Sequence, residues 1–352
     1  MKEIKKIKLG NKCVGDGEPC FIIAEVGINH NGDVEIAKRM VDAAKNAGVD
    51  CVKFQTFKAN EFVGDPKLTY TYKSQGRTVT ETQIEMFERY EFSKKEWEEI
   101  IKYCRKKNII FSTTAQNPSD LDFISSIADL PFIKVGSDDL TNLGLLKYYA
   151  SKNKPIIISV GMAYASEIKD ALSIIRKTNN SIIVLHCTSS YPTEADEVNL
   201  RKIKAIKNLF KVIVGFSDHT NGILASVASV VLGANVVEKH FTLDKNMPGP
   251  DHYFSSDPKE LEQLVTGIRY IEKSMGNSIL IPTKKEIEMR KIARRSIVAA
   301  SDIIIGQTIT KESVEYKRPG TGLAPKLVDS VIGKKAKINI KKGSLITFNN
   351  IE

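Results

Sequence analysis

Eight short runs of apolar, β-branched residues punctuate the chain, beginning near Phe21, Cys51, Ile109, Phe132, Pro155, Ile182, Val212 and Val236. Each is apolar at successive positions rather than alternating, the pattern of strands buried on both faces of a parallel sheet. Between them lie segments with apolar residues at helical spacing, such as 34–47, 94–107, 166–177 and 222–232. Ser93 and Ser166 stand where helix N-caps belong, and Gly48 stands just past a helix end. Eight strands alternating with helices over about 250 residues predict an α/β chain folded as a (β/α)8 TIM barrel. The competing open, doubly wound sheet would carry a Gly-x-Gly-x-x-Gly turn after an early strand, and the sequence has none.

Three segments depart from a bare barrel. Residues 56–91 form a connection far longer than the few residues usual between a strand and a helix. With Phe62, Tyr70, Tyr72, Phe87 and Tyr90 this segment is aromatic enough to fold, either over a site or as a peripheral decoration. Residues 4–20 are expected to form a hairpin plugging the barrel floor. After Met275 the pattern turns to short strands and glycine-marked turns, so the chain is divided into a barrel domain at 1–281, a charged linker at 282–294 and a small domain at 295–352.

Composition narrows the class. With 42% hydrophobic residues in 352 the chain can build a core, and disordered, collagenous and coiled-coil classes are excluded. The longest apolar run near membrane length, 226–237, falls short of the roughly 20 residues a spanning helix needs, and no apolar stretch follows the basic amino end as in a signal peptide. Five cysteines without a Cys-x-x-Cys pair read as reduced thiols, so a cytoplasmic protein without membrane contact is expected. The net charge of +10 raises the question of nucleic acid. Residues 282–352, however, hold 15 Lys+Arg against 7 Asp+Glu, a net of +8, leaving +2 for the body. The basicity belongs to the tail, and no nucleic-acid partner is expected.

Barrel enzymes draw their reacting groups from the carboxyl ends of strands. Here strand after strand turns polar at that end: Glu25, Lys53 with Gln55, Thr113, Lys134 with Ser137, Ser159, His186, Ser217 to His219, and Glu238 to His240. A lysine among apolar strand residues is costly unless paired. Lys53 and Lys134 therefore read either as lysines paired with barrel carboxylates or as an anion site helped by hydroxyls from Thr113, Ser137, Ser159 and Ser217. A Schiff-base lysine is the competing chemistry. His219 and His240 end successive strands, so they either share a divalent metal or are buried and hydrogen-bonded to neighbours. His186 is as readily structural, and His30 and His252 lie in glycine-rich turns.

Taken together, Ile-Ala-Glu-Val-Gly-Ile-Asn-His-Asn-Gly (23–32), Val-Lys-Phe-Gln (52–55), Ile-Lys-Val-Gly-Ser (133–137), Ser159 to Met162, His186-Cys187-Thr188 with Tyr191-Pro192-Thr193, Gly-Phe-Ser-Asp-His-Thr (215–220), Glu-Lys-His-Phe-Thr (238–242) and Gly-Pro-Asp-His (249–252) resemble the sialic acid synthase family. Arg294-Arg295-Ser296 and Lys-Arg-Pro-Gly-Thr-Gly (317–322) resemble its antifreeze-like (SAF) domain. The resemblance spans nearly the whole chain, in order. It implies condensation of phosphoenolpyruvate with an N-acylated mannosamine-type aldose and water, giving a nonulosonic acid and phosphate with C–O cleavage. It also implies a divalent metal, usually manganese, with magnesium or cobalt as substitutes.

By similarity, Lys53, Thr114, Lys134, Ser137, Ser159 and Ser217 would hold phosphoenolpyruvate, and His219 and His240 the metal. Glu25 would be an acid–base or charge-stabilising group, and Gln55, Tyr191 and Asp251 would bind the sugar. Arg318 would reach the acyl group in the neighbour's site of a domain-swapped homodimer. An acceptor of the N-acetylmannosamine type is expected, with a diacetamido-trideoxy sugar, as in legionaminic acid synthesis, as the alternative. The sequence departs from the family at Asp138-Asp139, where Gly-Glu is common, and at Val160, where a small polar residue is common. A Schiff-base aldolase and a carbohydrate- or nucleic-acid-binding protein on a retired barrel are the rival readings.

Overall fold

A computed structural model describes residues 4–352. The chain divides into two compact units, one ending at Gly276 and one spanning Asn277–Glu352. In the first, strands Phe21–Gly27, Cys51–Thr56, Ile110–Ala115, Ile133–Val135, Ile156–Ser159, Ile182–His186, Ile213–Asp218 and Val236–His240 close a parallel barrel. Nearly every residue in them is buried, which is why their apolar runs are continuous. Pairing of the eighth strand with the first closes the ring and sets His240 opposite Glu25. The registers Glu25–Lys53, Gln55–Thr114, Thr114–Lys134 and Ser217–Glu238 then bring the polar strand ends to one level.

The helices begin and end for local reasons. Asp33 caps Val34–Ala47 by accepting from the Glu35 and Ile36 amides, and Gly48 ends it at φ 86°. Ser93 heads Lys94–Lys106 with a reciprocal capping box to Glu96. The cap expected at Ser166 lies elsewhere. Helix Ala165–Ile175 starts after Tyr164, whose amide donates to Glu167, so Ser166 is already inside the first turn.

A hairpin of Ile7–Leu9 and Lys12–Val14 packs Ile7, Leu9 and Val14 against Phe21, Phe132 and Ile213 at the amino end of the barrel, the floor plug expected from the sequence. Segment 56–91 folds into helix Ala59–Phe62, hairpin Thr69–Ser74 with Arg77–Thr82, and helix Gln83–Glu88. It is held by edge-to-face packing of Phe87 on Phe57 and Phe62. Gln75 donates to the Asn246 carbonyl at 3.1 Å, and the Gly249 amide donates to Ser74 Oγ at 3.1 Å, tying the hairpin tip to the loop after the eighth strand.

The second unit has its own core of Ile297, Ile303, Ile309, Val331, Ile340 and Ile346 beneath the two-stranded pair Ser296–Ala299 and Val314–Lys317. Helix Lys284–Ala293 occupies the segment read as linker and buries none of its residues. No helix among the described residues is long and apolar enough to cross a membrane.

Gly215 shows how tightly the barrel interior is filled. A Cβ there would lie 2.5 Å from Leu185 Cδ2 and 2.5 Å from the Val236 carbonyl oxygen. Gly215→Ala is expected to lower unfolding stability by about 1–3 kcal/mol, the usual range for overpacking. A urea midpoint unchanged from wild type would refute this packing.

Candidate functional site

The carboxyl end of the barrel holds two lysines and two glutamates, all at most 5% exposed: Lys53, Lys134, Glu25 and Glu238. Lys53 Nζ lies 2.5 Å from Glu25 Oε2 and 3.7 Å from Glu238 Oε2, and donates to Thr114 Oγ1 at 2.9 Å. Lys134 Nζ lies 3.7 Å from Glu238 Oε1 and donates to Ser159 Oγ at 2.8 Å. Ser217 Oγ donates to Glu238 Oε1 at 2.9 Å. Glu238 thus stands between both cations. Although burial pushes it up, Lys134 and Lys53 outweigh that and hold its carboxyl at about 2. Burial pushes Glu25 up to about 7, Lys53 opposing and Glu238 adding to the rise. Two carboxyls driven apart in this way leave one permanently ionised and one able to carry a proton near neutrality.

Beside this cluster, the rings of His219 and His240 lie 5.6 Å apart. His219 Nδ1 meets the Thr188 carbonyl at 2.7 Å. A carbonyl only accepts, so Nδ1 carries the proton and Nε2 keeps its lone pair. His240 Nδ1 is buried without a hydrogen-bond partner in this structure, 3.8 Å from Asp251 Oδ2. Burial lowers His219 to about 4 and His240 well below its ordinary value, so both imidazoles are neutral at physiological pH. Two neutral imidazoles, one with its tautomer fixed, suit a divalent ion with open positions for water or substrate oxygens. Among the described residues no cluster of three or more His, Cys, Asp or Glu is arranged around a metal position.

A cavity of about 510 Å³ is lined by Glu25, Lys53, Thr114, Lys134, Ser137, Ser159, Ser217, Glu238 and both histidines, together with Gln55 and Tyr191. Tyr191 packs on His219 with ring centroids 4.2 Å apart. Gln55 Nε2 donates to Glu25 Oε1 at 3.4 Å. Asp251 lines an adjoining recess shared with Gln55, Tyr191 and His240, and burial pushes its carboxyl up to about 7. Ser137 Oγ accepts from the Gly161 amide at 2.9 Å and lies 3.1 Å from Cys187 Sγ. Arg318 belongs to the second unit, where its Nε donates to the Ala293 carbonyl at 3.0 Å.

Of the readings from the strand ends, that of Thr113 is corrected. Thr113 faces away from the cavity, its hydroxyl 2.8 Å from that of Thr56, and Thr114 takes its place. His186 Nε2 lies 2.6 Å from the Val198 carbonyl and has a structural bond. His30 accepts from the Gly32 amide and stacks on Phe92, while His252 bridges Thr242 and Asn31. Of the divergent pair, Asp138 lines the cavity, whereas Asp139 accepts from Asn142. Val160 is buried among apolar neighbours. The residue whose importance the sequence understated is Glu238, which had a place in the polar ring but no role. Its signal was parity: in a strand, Glu238 and His240 share one face while Lys239 takes the other.

Comparison with known proteins places these residues among others of the same kind. The NeuB family matches residues 40–280, and the SAF domain matches residues 294–352. The chain is 41% identical over 329 residues to the N,N'-diacetyllegionaminic acid synthase of Campylobacter jejuni, covering 93% of this chain and 98% of that one. It is 36% identical over 343 residues to the N-acetylneuraminate-9-phosphate synthase of Homo sapiens, covering 95% and 93%. The crystal structure of an N-acetylneuraminic acid (sialic acid) synthetase from Leptospira borgpetersenii, in complex with citrate, superposes with a TM-score of 0.74 at 36% identity. That match covers 82% of this chain and 98% of the other.

The carboxyl pair makes a direct prediction for the metal-free protein. In a carbon-detected titration of labelled glutamates, Glu25 is expected to change protonation near pH 7, with Glu238 ionised throughout the accessible range. Glu238→Gln removes a neighbouring negative charge, which must lower the Glu25 midpoint. A midpoint that rises or stays fixed would show that the two carboxyls do not interact.

Proposed function

The chain belongs to the NeuB family, and from that premise we propose that it condenses phosphoenolpyruvate with an N-acylated mannosamine-type sugar and water, releasing phosphate by C–O cleavage. The observation that carries this reading is the pair of buried lysines tied to one ionised glutamate and ringed by hydroxyls. With Glu25 protonated, Lys53, Lys134 and Glu238 sum to a single positive charge in a desolvated cavity, where an anion is bound strongly. Phosphoenolpyruvate brings a carboxylate and a phosphate, and Lys53, Lys134, Thr114, Ser137, Ser159 and Ser217 offer donors to both.

In the reaction the methylene carbon of the enol forms a bond to the aldehyde carbon. Water oxygen bonds to carbon 2, and the bond from carbon 2 to the phosphate oxygen breaks, so the pair in that bond leaves with phosphate. The water loses both of its protons, one to the departing phosphate as carbon 2 becomes a ketone and one to the aldehyde oxygen. Glu25, poised near neutrality beside Lys53, is placed to carry that proton. A divalent ion, by resemblance manganese with magnesium or cobalt as substitutes, would be held by His219 and His240 and would polarise the acceptor carbonyl. Gln55, Tyr191 and Asp251 orient the acceptor, and fixing two substrates in line supplies much of the rate.

A Schiff-base lysine must lose its proton before it attacks. Lys53 lies against carboxylates, and despite burial Glu238 and Glu25 raise it above its ordinary value. The condensing synthase is therefore the better reading. A homodimer in which Arg318 completes a neighbour's site is supported by the apolar side chains that segment 277–293 leaves exposed, among them Leu280, Ile281, Met289 and Ile292. Five free cysteines, four of them buried, suit a reducing cytoplasm.

Phosphate release from phosphoenolpyruvate is expected only with an acceptor present, to stop on chelation, and to fall by about a hundredfold or more in His219→Ala and Lys134→Met. Full activity after metal removal, or borohydride trapping of pyruvate on a lysine, would sink the proposal. For the dimer, Arg318→Ala and His219→Ala chains are each expected to be inactive alone. Mixed and refolded together they should regain activity, because one hybrid site is then intact, and no recovery would rule out the exchanged arginine.

A further inference from the structure

Asp218 and Lys239 face each other across the seventh and eighth strands, on the side turned away from the cavity. Both are buried, at 0% and 1% exposure, with Lys239 Nζ 3.2 Å from Asp218 Oδ2. Neither lines the cavity of the lysines, glutamates and histidines, yet each directly precedes one of those histidines in the chain. Asp218 Oδ1 accepts from the Thr220 amide and hydroxyl, both at 2.8 Å, and so closes a turn with His219 at its centre. Lys239, next to His240, donates to the Thr220 carbonyl. One ion pair thus joins the backbone of His219 to the backbone of His240.

The helix behind the pair is laid in an unusual way. Leu224–Val231 has six apolar residues and two serines, and the serines are the residues it buries completely. Leu224 is 83% exposed and Val231 44%, although a surface helix ordinarily turns its apolar stripe to the core. Its inward face is the one that answers Asp218. Ser226 Oγ donates to Asp218 Oδ2 at 2.5 Å, and Ser229 Oγ donates to the Ser226 carbonyl at 2.6 Å. A buried ion pair adds little net stability, because desolvation offsets the attraction and apolar residues of like volume often do as well. Stability alone therefore does not explain a salt bridge and two serines in place of an apolar seam.

The histidines do need such a device. His240 Nδ1 makes no hydrogen bond and the ring packs on Phe254 with centroids 5.1 Å apart, so the ring stands where its backbone puts it. His219 has Nδ1 on the Thr188 carbonyl, and its own carbonyl accepts from the Thr193 amide at 2.9 Å. On the outer face, the side-chain link between the two histidine-bearing strand ends is Asp218 with Lys239. We propose that Asp218 and Lys239 are positioning residues for a divalent ion, holding the His219 and His240 imidazoles at the mutual placement that binding one ion requires. The proposal rests on the reading above that these histidines hold the metal. It gives a role to the outward residues of Ser-Asp-His and Glu-Lys-His, and to the buried serines of the helix.

The test is manganese binding to the metal-free protein without substrates, read from the electron paramagnetic resonance signal of the unbound ion. Asp218→Asn, and the double variant Asp218→Asn with Lys239→Met, are each expected to weaken the dissociation constant by about tenfold to a hundredfold. The double variant removes both charges and leaves neither buried alone. Met40→Ala truncates a buried side chain of helix Val34–Ala47, outside the network. It loses stability, and its manganese affinity should match that of the unaltered chain. Ser226→Ala gives up one hydrogen bond to Asp218 and should weaken binding by about threefold or more. An unchanged affinity in the folded double variant, or in Ser226→Ala where the double variant does not fold, would overturn the inference and leave the metal reading intact. An equal loss in Met40→Ala would do the same. Manganese binding that is absent from the unaltered chain, or that survives unchanged in His219→Ala, would bring down the metal reading, and this inference with it.

Discussion

Two ammonium groups buried at the mouth of a barrel are the constraint around which this molecule is organised. Lys53 and Lys134 are held out of water, where an unpaired charge is prohibitive. Glu238 answers both from the eighth strand, at 3.7 Å to each, Glu25 lies 2.5 Å from Lys53, and the lysines also donate to Thr114, Ser159 and the Val135 carbonyl. That geometry exists only because the parallel registers put Lys53 beside Glu25, Thr114 beside Lys134 and Glu238 beside Ser217. A shift of one residue in any of these strands would turn its charged group outward among the helices. Closure of the barrel and assembly of the charge cluster are therefore the same event.

The outward faces of the same strands carry a second buried network. Lys239, between Glu238 and His240, reaches Asp218 at 3.2 Å and donates to the Thr220 carbonyl. Asp218 also accepts from the Thr220 amide and hydroxyl and from Ser226. These bonds fix the turn that bears His219, and they join the seventh strand to the eighth directly behind both histidines. Lone-pair direction is thus set twice for His219, by the turn behind the ring and by the Thr188 carbonyl on Nδ1. The placement of both imidazoles is thus supported by buried residues on the outward face of the strands.

All eight strands, the floor hairpin and the aromatic insertion were legible because burial leaves an uninterrupted trace in sequence. A strand with both faces covered must be apolar at successive positions, and that pattern marked each start to within a residue. Parity at the polar ends was not legible. Residues 112–114 are Ser-Thr-Thr, so polarity alone does not tell which hydroxyl points inward, and the choice of Thr113 from the strand end was wrong while similarity chose Thr114. His186 was left open between two readings for a related reason: a last strand residue can face in or out, and its ring found the Val198 carbonyl on the outer side. Glu238 was overlooked because a carboxylate beside two histidine-bearing strand ends attracts no motif of its own. Its meaning comes from Lys53 and Lys134, which lie 185 and 104 residues away in sequence. Asp138 and Asp139 show the limit most sharply, since adjacent aspartates in one turn differ only in which of them the turn aims at the cavity.

Strands and insertion contribute to the same cavity under different constraints. The charge cluster is made from strand residues locked by register, where substituting a single charge leaves another buried and unpaired. The adjoining recess is walled in part by a segment outside the barrel, whose Phe62, Gln83 and Met86 contribute nothing to barrel closure. Phe62, Tyr70 and Phe87 of that segment also line the cavity of the charge cluster. Residues fixed by barrel register and residues carried on an insertion thus face one cavity under different structural constraints.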